Sequence, residues 1–215
     1  MTAKGITTTT MTKLARLLQL ASPALPVGAY SYSQALEAAV EAGVVHDAAS
    51  AERWIGDVLE LSVGAMEAPL LWRMLNGEDC NEAFLASRET AELRAETLQM
   101  GRSLALLLRD LELTVMARQE CSFPMAFAQA VKCLEIEARD ALVAYLWSWL
   151  ENQVMAALKA VPLGQTDGQR MLLALGGTLE KVAFKAMNSE PVNLAPGLAF
   201  LSARHETQYS RLFRS

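Results

Sequence analysis

The sequence contains few residues whose types and spacing fit catalysis or metal binding. Cys80, Cys121 and Cys133 are widely separated, and only His46 and His205 accompany them. A zinc site needs three or four such ligands at characteristic spacings. The HExxH, P-loop and dinucleotide-binding patterns are also missing from the sequence. We therefore expect no resident metal, no cofactor and no catalytic centre.

Aromatic residues in the most apolar stretch leave one enzymatic hypothesis open. Residues 141–150 (ALVAYLWSWL) carry Tyr145, Trp147 and Trp149, and aromatic side chains line many small-molecule pockets. The stretch is about half of the roughly 20 residues that a membrane-spanning helix needs, so we expect a buried helix and no membrane association. A helical-bundle enzyme with a buried aromatic pocket is the second hypothesis, and a general protein-interaction module is the third.

Charged residues are distributed unevenly along the chain. The totals, 19 Lys and Arg against 24 Asp and Glu, give a net charge of −5. This balance argues against a nucleic-acid partner, because phosphates require a basic face. Residues 37–67 contain one base, Arg53, and seven acids: Glu37, Glu41, Asp47, Glu52, Asp57, Glu60 and Glu67. Such a run usually forms a solvated helix face, and contact with a basic partner is the alternative.

The C-terminal segment 201–215 combines basic and apolar side chains. Its residues 204–215 (RHETQYSRLFRS) hold three arginines and one acid. Tyr209, Leu212 and Phe213 are spaced three and four residues apart, so a helix would place all three on one face. Aromatic anchors beside arginines are typical of binding hot spots. The segment is therefore a candidate partner-binding element, and docking on its own bundle is the alternative.

A turn and a lysine are the two other candidates for contact with a partner. The turn at 25–33 (LPVGAYSYS) contains Gly28, which permits a left-handed backbone, and two tyrosines that offer rigid contact surface. Lys159 precedes the sequence AVPLGQ. A lysine in the last turn of a helix is favoured by the helix dipole, and it can equally reach a carboxylate or phosphate of a partner.

The elements that position these residues all have helical periodicity. Asp47 is an N-cap for a helix whose inward face carries Ile55, Val58, Leu59 and Met66. No stretch shows convincing strand alternation.

Further along the chain, Gly101 lies in an amphipathic helix, where it permits a close approach between two helices. The longest helix is predicted from about Glu137 to Val161 and stops before Pro162. Thr166 and Gln169 have the capping-box pattern of a further helix that runs to about Met187. These patterns predict an all-α fold, a single compact multi-helix bundle.

Three stretches of the sequence resemble one known family, and they are 17–37 (LLQLASPALPVGAYSYSQALE), 159–165 (KAVPLGQ) and 202–215 (SARHETQYSRLFRS). They are similar to stretches of the UreF family of bacterial urease accessory proteins, and the resemblance covers nearly the whole chain. The most specific match is the third stretch, whereas residues 67–139 are generic helix. The family commonly has glycine and tryptophan where this chain has Ala35 and Ala38, so packing at the start of that helix is expected to differ.

The resemblance implies a non-enzymatic, all-α scaffold used in nickel insertion into urease. UreF-like proteins dimerise and bridge two partners, UreD (called UreH in some bacteria) and the GTPase UreG. The complex acts on the urease apoprotein, and the UreF-like component controls how UreG uses GTP. By this resemblance the chain is an adaptor without substrate turnover of its own.

The resemblance also implies roles for individual residues. Lys159 matches the position that contacts UreG and governs its GTP use, and Tyr30, Ser33, Gln34 and Glu37 match the N-terminal motif of the same working surface. The UreD-binding segment matches at eight positions, Arg204, His205, Glu206, Tyr209, Arg211, Leu212, Phe213 and Arg214.

The predicted organisation has three parts, a flexible segment at 1–10, an all-α domain at 11–200 and the partner-binding segment at 201–215. The Thr-rich start lacks the apolar core of an export signal. Three cysteines are too few for a disulfide framework. We therefore expect a cytoplasmic protein with reduced thiols.

Overall fold

The computed structural model describes residues 8–113 and 118–215. Within these ranges the chain is helical and has no strand, which confirms the all-α fold. Residues 1–7 of the predicted flexible segment lie outside the described part of the chain. The α-helices are α1 (Thr8–Leu20), α2 (Leu36–Glu41), α3 (Ala48–Val58), α4 (Ala68–Leu75), α5 (Asn81–Ala86), α6 (Ala91–Asp110), α7 (Phe123–Cys133), α8 (Ala138–Ala160), α9 (Gln165–Gly176), α10 (Leu179–Met187) and α11 (Pro196–His205).

Helix α8 is the centre of the bundle. It packs against α1, α2, α3, α4, α9 and α10, and it buries Leu142, Leu146, Leu150 and Val154 completely. A helix with apolar residues on most of its faces is stable only when other helices surround it. The predicted longest helix is confirmed, and it ends just before the extended backbone of Val161.

Of the two helix caps predicted from the sequence, one is confirmed and the other is wrong. Asp47 caps α3 through a capping box with Ser50, as predicted. The expected box at Thr166 is wrong, because the amide of Gly164 donates to the Asp167 carboxylate instead. The predicted helix to Met187 is interrupted after Gly176, where two consecutive glycines lower the helix propensity.

A close approach occurs at Gly101, as predicted, but its partner is the segment before α7 and not a second helix. A Cβ atom at this position would lie 2.0 Å from the main-chain oxygen of Cys121. Helix α6 therefore packs directly against the chain that enters α7, and only glycine fits at the contact.

A π-helix at Leu59–Glu67 connects α3 with α4 and was not predicted. A π-helix pairs its carbonyl groups with amides five residues further on, and each carbonyl oxygen has a second lone pair that can accept another hydrogen bond. Two of these carbonyls accept hydrogen bonds from the loop before α11, from the amide of Val192 to Ala65 at 2.9 Å and from Leu194 to Leu61 at 3.3 Å. The last residue of the π-helix, Glu67, is buried in the core.

The turn before α2 has left-handed backbone at three residues. Gly28, at φ +82°, precedes a 3-10 turn at Ala29–Ser31, as its predicted conformational role requires. Gln34 (φ +51°) and Ala35 (φ +67°) follow in the same region of conformational space. Glycine adopts this conformation without the strain that a Cβ atom introduces, which is a physical reason for the family glycine at position 35.

Candidate partner-binding site

The tail, defined as residues 206–215, folds back onto the turn before α2. The amide of Arg214 donates to the main-chain oxygen of Ser31 at 2.8 Å. The amide and the hydroxyl of Ser33 both donate to the main-chain oxygen of Ser215, at 2.8 and 2.6 Å. In the structure the tail therefore docks on its own bundle, which is the alternative that the sequence left open.

Glu37 anchors the tail from helix α2. Its carboxylate accepts hydrogen bonds from the amides of Leu212 at 2.7 Å and Phe213 at 2.9 Å. One of its oxygens lies 3.4 Å from Nε2 of His205, and Nδ1 of His205 lies 2.7 Å from the Glu92 carboxylate. Because Glu37 and His205 are buried, these contacts are protected from water and stabilise the docked tail.

Lys159 lies at the surface where the turn and the tail meet. Its Nζ atom is 5.9 Å from the centroid of the Tyr30 ring and 5.8 Å from that of Phe213. Both distances fall within the range of a cation–π interaction. Tyr30 is 67% exposed and Phe213 only 6%, so the ammonium group bridges an exposed ring and a buried one.

A buried polar chain connects the tail to the interior. The Glu96 carboxylate accepts from the Ser215 hydroxyl at 2.7 Å and from the Gln34 amide at 2.7 Å. Gln34 in turn accepts from the indole N–H of Trp149 at 2.6 Å. Burial raises the pKa of Glu96 to about 7, although the hydrogen bonds from Gln34 and Ser215 oppose the shift.

A buried ion pair lies behind this chain of hydrogen bonds. Arg88 donates to Glu67 at 2.7 Å, and their side chains are only 7% and 5% exposed. The Tyr145 hydroxyl donates to the other Glu67 oxygen at 3.4 Å. Burial, and next the negative charge of Glu67, raise the pKa of Tyr145 well above its ordinary value. These groups and Glu96 line a cavity of about 200 Å³ whose lining also includes Lys159 and Tyr30.

Comparison with known protein families decides what kind of protein carries this site. The sequence model of the UreF family matches residues 45–176, which is more than half of the chain. The chain belongs to the UreF family.

Similar proteins from three bacteria support the assignment over nearly the full length. Urease accessory protein UreF of Azoarcus sp. (strain BH72) is 55% identical, over 94% of this chain and 95% of its own. The protein of the same name from Dechloromonas aromatica is 52% identical over 96% and 99%. That from Janthinobacterium sp. (strain Marseille) is 49% identical over 94% and 98%.

The structure divides the predicted UreF working surface into exposed and buried residues. Lys159 and Tyr30 are exposed, whereas Ser33 and Glu37 are buried and Gln34 is half-buried. The three less accessible residues hold the tail, directly or through Glu96. Direct contact of Ser33 or Glu37 with a partner would require displacement of the tail, so we assign both residues an anchoring role.

Some of the predicted UreD-binding residues are exposed and others are buried. The tail has no helix, since α11 ends at His205, so the shared helical face that the spacing of the three apolar residues would give does not form. Tyr209 and Leu212 are 105% and 70% exposed, whereas Phe213 is buried. Among the charged residues, His205 is buried, and the exposed ones are Arg204, Glu206, Arg211 and Arg214. Arg211 pairs with Glu92.

The aromatic pocket of the second hypothesis is only partly formed. Tyr145 and Trp149 line the cavity, whereas Trp147 lies on another face of α8, where its ring packs against Gly176. Residues two apart on a helix diverge in this way. Among the residues that the structure describes, no group of three or more His, Cys, Asp or Glu side chains could hold a metal ion.

The acidic run at 37–67 does not form one solvated face. Glu37 and Glu67 are buried and bind the tail and Arg88, respectively. The other five acids are exposed or half-buried.

In the described part of the chain, no helix is long and apolar enough to span a membrane.

Removal of the Glu37 carboxylate is expected to release the tail. Glu37→Ala leaves the amides of Leu212 and Phe213 without their acceptor, at a cost of about 2 kcal/mol in unfolding free energy. Hydrogen exchange should show faster exchange of these two amides than in the parent protein. Glu41→Ala, at an exposed site on the same helix, is the control and should change stability by less than about 0.5 kcal/mol. Unchanged protection in Glu37→Ala would show that other contacts hold the tail.

Proposed function

We propose that this chain is a non-catalytic adaptor in urease maturation that bridges UreD (UreH) and the GTPase UreG. In this role it controls GTP use by UreG while nickel, the cargo, is delivered to the urease apoprotein. The resemblance also supports a homodimer within the complex. The observation that carries the proposal is that, in a chain of the UreF family, Lys159 and the tail meet at one surface.

The outward face of the tail supports its assignment as the UreD-binding element. Tyr209 and Leu212 expose apolar surface although the backbone beside them is anchored. An ordered backbone that presents apolar side chains loses less conformational entropy on binding than a disordered one. Arg204, at the end of α11, and Arg214, in the tail, are both exposed and supply the charge that typically borders such contacts.

The test of the UreD interface uses the exposed tail residues and leaves the anchors intact. We expect Tyr209→Ser/Leu212→Ser to lose co-elution with UreD from a tagged, co-expressed complex. The double variant should keep the parent's melting temperature, because both side chains are already in solvent. Phe184→Ser, which alters a residue 65% exposed on α10, controls for removal of any exposed apolar side chain. Full co-elution of the double variant would contradict the assignment.

A lysine variant tests the proposed control of UreG. Lys159→Ala is expected to keep the fold and UreD binding, because the side chain is exposed. GTP hydrolysis should then no longer be coupled to urease activation, and activation per GTP hydrolysed should fall. Lys181→Ala, an exposed lysine on α10, is the matched control. Normal activation with normal GTP use in Lys159→Ala would overturn the role of this lysine.

A further inference from the structure

The position of Lys159 is set by two aromatic rings from separate parts of the chain. Tyr30 belongs to the turn before α2, and Phe213 belongs to the tail. The Nζ atom lies within 6 Å of both ring centroids, and no salt bridge is found for Lys159 among the described residues. The two ring faces are therefore the contacts that orient its charge.

The Phe213 ring stays in place only while the tail is docked. The Phe213 amide donates to Glu37 at 2.9 Å, and the next residue, Arg214, donates to Ser31 of the turn at 2.8 Å. Ser31 in turn follows Tyr30 directly. A shift of the tail would therefore move the Phe213 ring away from Lys159. It would also break the hydrogen bond to Ser31, the residue next to Tyr30.

We infer that Phe213 and Tyr30 are positioning residues for Lys159, so that the state of the tail determines how this lysine is presented to a nucleotide-binding partner. The inference rests on the proposed function, in which one partner binds the tail and a GTPase meets Lys159. It adds a physical connection between the two. A partner that changes the tail changes the orientation of Lys159, and the two binding events are then coupled.

The geometry can be tested on the chain alone, without any partner. Reductive ¹³C-methylation of lysines keeps their positive charge, and aromatic rings shift nearby methyl resonances upfield. We expect an upfield resonance that disappears in Lys159→Arg, which assigns it. Phe213→Leu should reduce that shift while the core position stays apolar, because only the Tyr30 ring at 5.9 Å then remains, and Phe213→Tyr should restore it. Phe200→Leu, at a ring 65% exposed on α11, should leave it unchanged.

The functional consequence is tested in the complex with UreD and UreG. Phe213→Leu is expected to reproduce the loss of coupling between GTP hydrolysis and activation that we predict for Lys159→Ala, and Phe213→Tyr to recover the coupling. A Lys159 resonance without an upfield shift overturns the inference and leaves the adaptor proposal intact. A normal shift with no effect of Lys159→Ala overturns the role of Lys159 in the proposed function. Loss of coupling in Lys159→Ala alone, with Phe213→Leu normal, overturns the positioning role.

Discussion

Replacing Arg88 with methionine is expected to lower the free energy of unfolding by about 3–5 kcal/mol, because it leaves the Glu67 carboxylate buried without its cationic partner. The two side chains are 7% and 5% exposed, so bulk water solvates the Glu67 carboxylate poorly once the guanidinium is gone. Methionine keeps an apolar side chain beside the Phe84 ring, over which the Arg88 guanidinium lies at 4.5 Å in the parent, but it removes that cation–π contact. Urea unfolding with linear extrapolation measures the difference.

Two further variants distinguish the cost of leaving the Glu67 charge buried from the cost of losing an ion pair. Arg94→Met breaks an ion pair of similar length, 2.8 Å to Glu120, whose side chains are 39% and 54% exposed. It should cost at most about 1 kcal/mol. Glu67→Gln in the Arg88→Met background removes the unpaired charge and should recover part of the stability. Equal losses for Arg88→Met and Arg94→Met would show that Glu67 remains solvated.

Local patterns in the sequence predicted the helices well and their irregularities poorly. The cap at Asp47, the close contact at Gly101 and the end of α8 depend on neighbouring residues and on steric rules that a sequence displays directly. The π-helix could not be predicted, because its carbonyls find partners in a loop more than a hundred residues further along the chain. Its stabilising contacts are absent from the local pattern.

The functional surface was predicted in outline, and its internal organisation was not. The resemblance picked out both Lys159 and the tail, but not the long-range hydrogen bonds that bring them together, such as Ser33 to Ser215 across 182 positions. The charge count predicts a solvated face that includes Glu37 and Glu67, although both are buried, because a count of charges contains no information on burial. Glu96 offered one usable signal, because it shares a helical face with Leu93 and Met100.

The protein is expected to lose stability as the pH rises from about 5 to about 8, through the single carboxyl group of Glu96. Burial raises the pKa of this group from 4.5 to about 7 in the folded chain. Between these two values the native state holds a proton that the unfolded state has released. Stability is therefore greatest below the unfolded pKa and falls until the pH passes the folded one, by about 3 kcal/mol in total.

Glu96→Gln isolates this contribution from that of other titrating groups. The amide is a neutral group of the same shape, still able to accept from Gln34 and to bond the Ser215 hydroxyl. Its unfolding free energy should depend less steeply on pH, so that the variant gains on the parent between pH 5 and pH 8 in urea titrations. Parallel pH profiles for the two proteins would contradict the assignment. We expect the two profiles to converge at low pH, because Glu96 is then protonated in the parent as well. The protection factors of the tail amides, which correct for the base-catalysed rise of intrinsic exchange, should fall between pH 5 and pH 8 in the parent only.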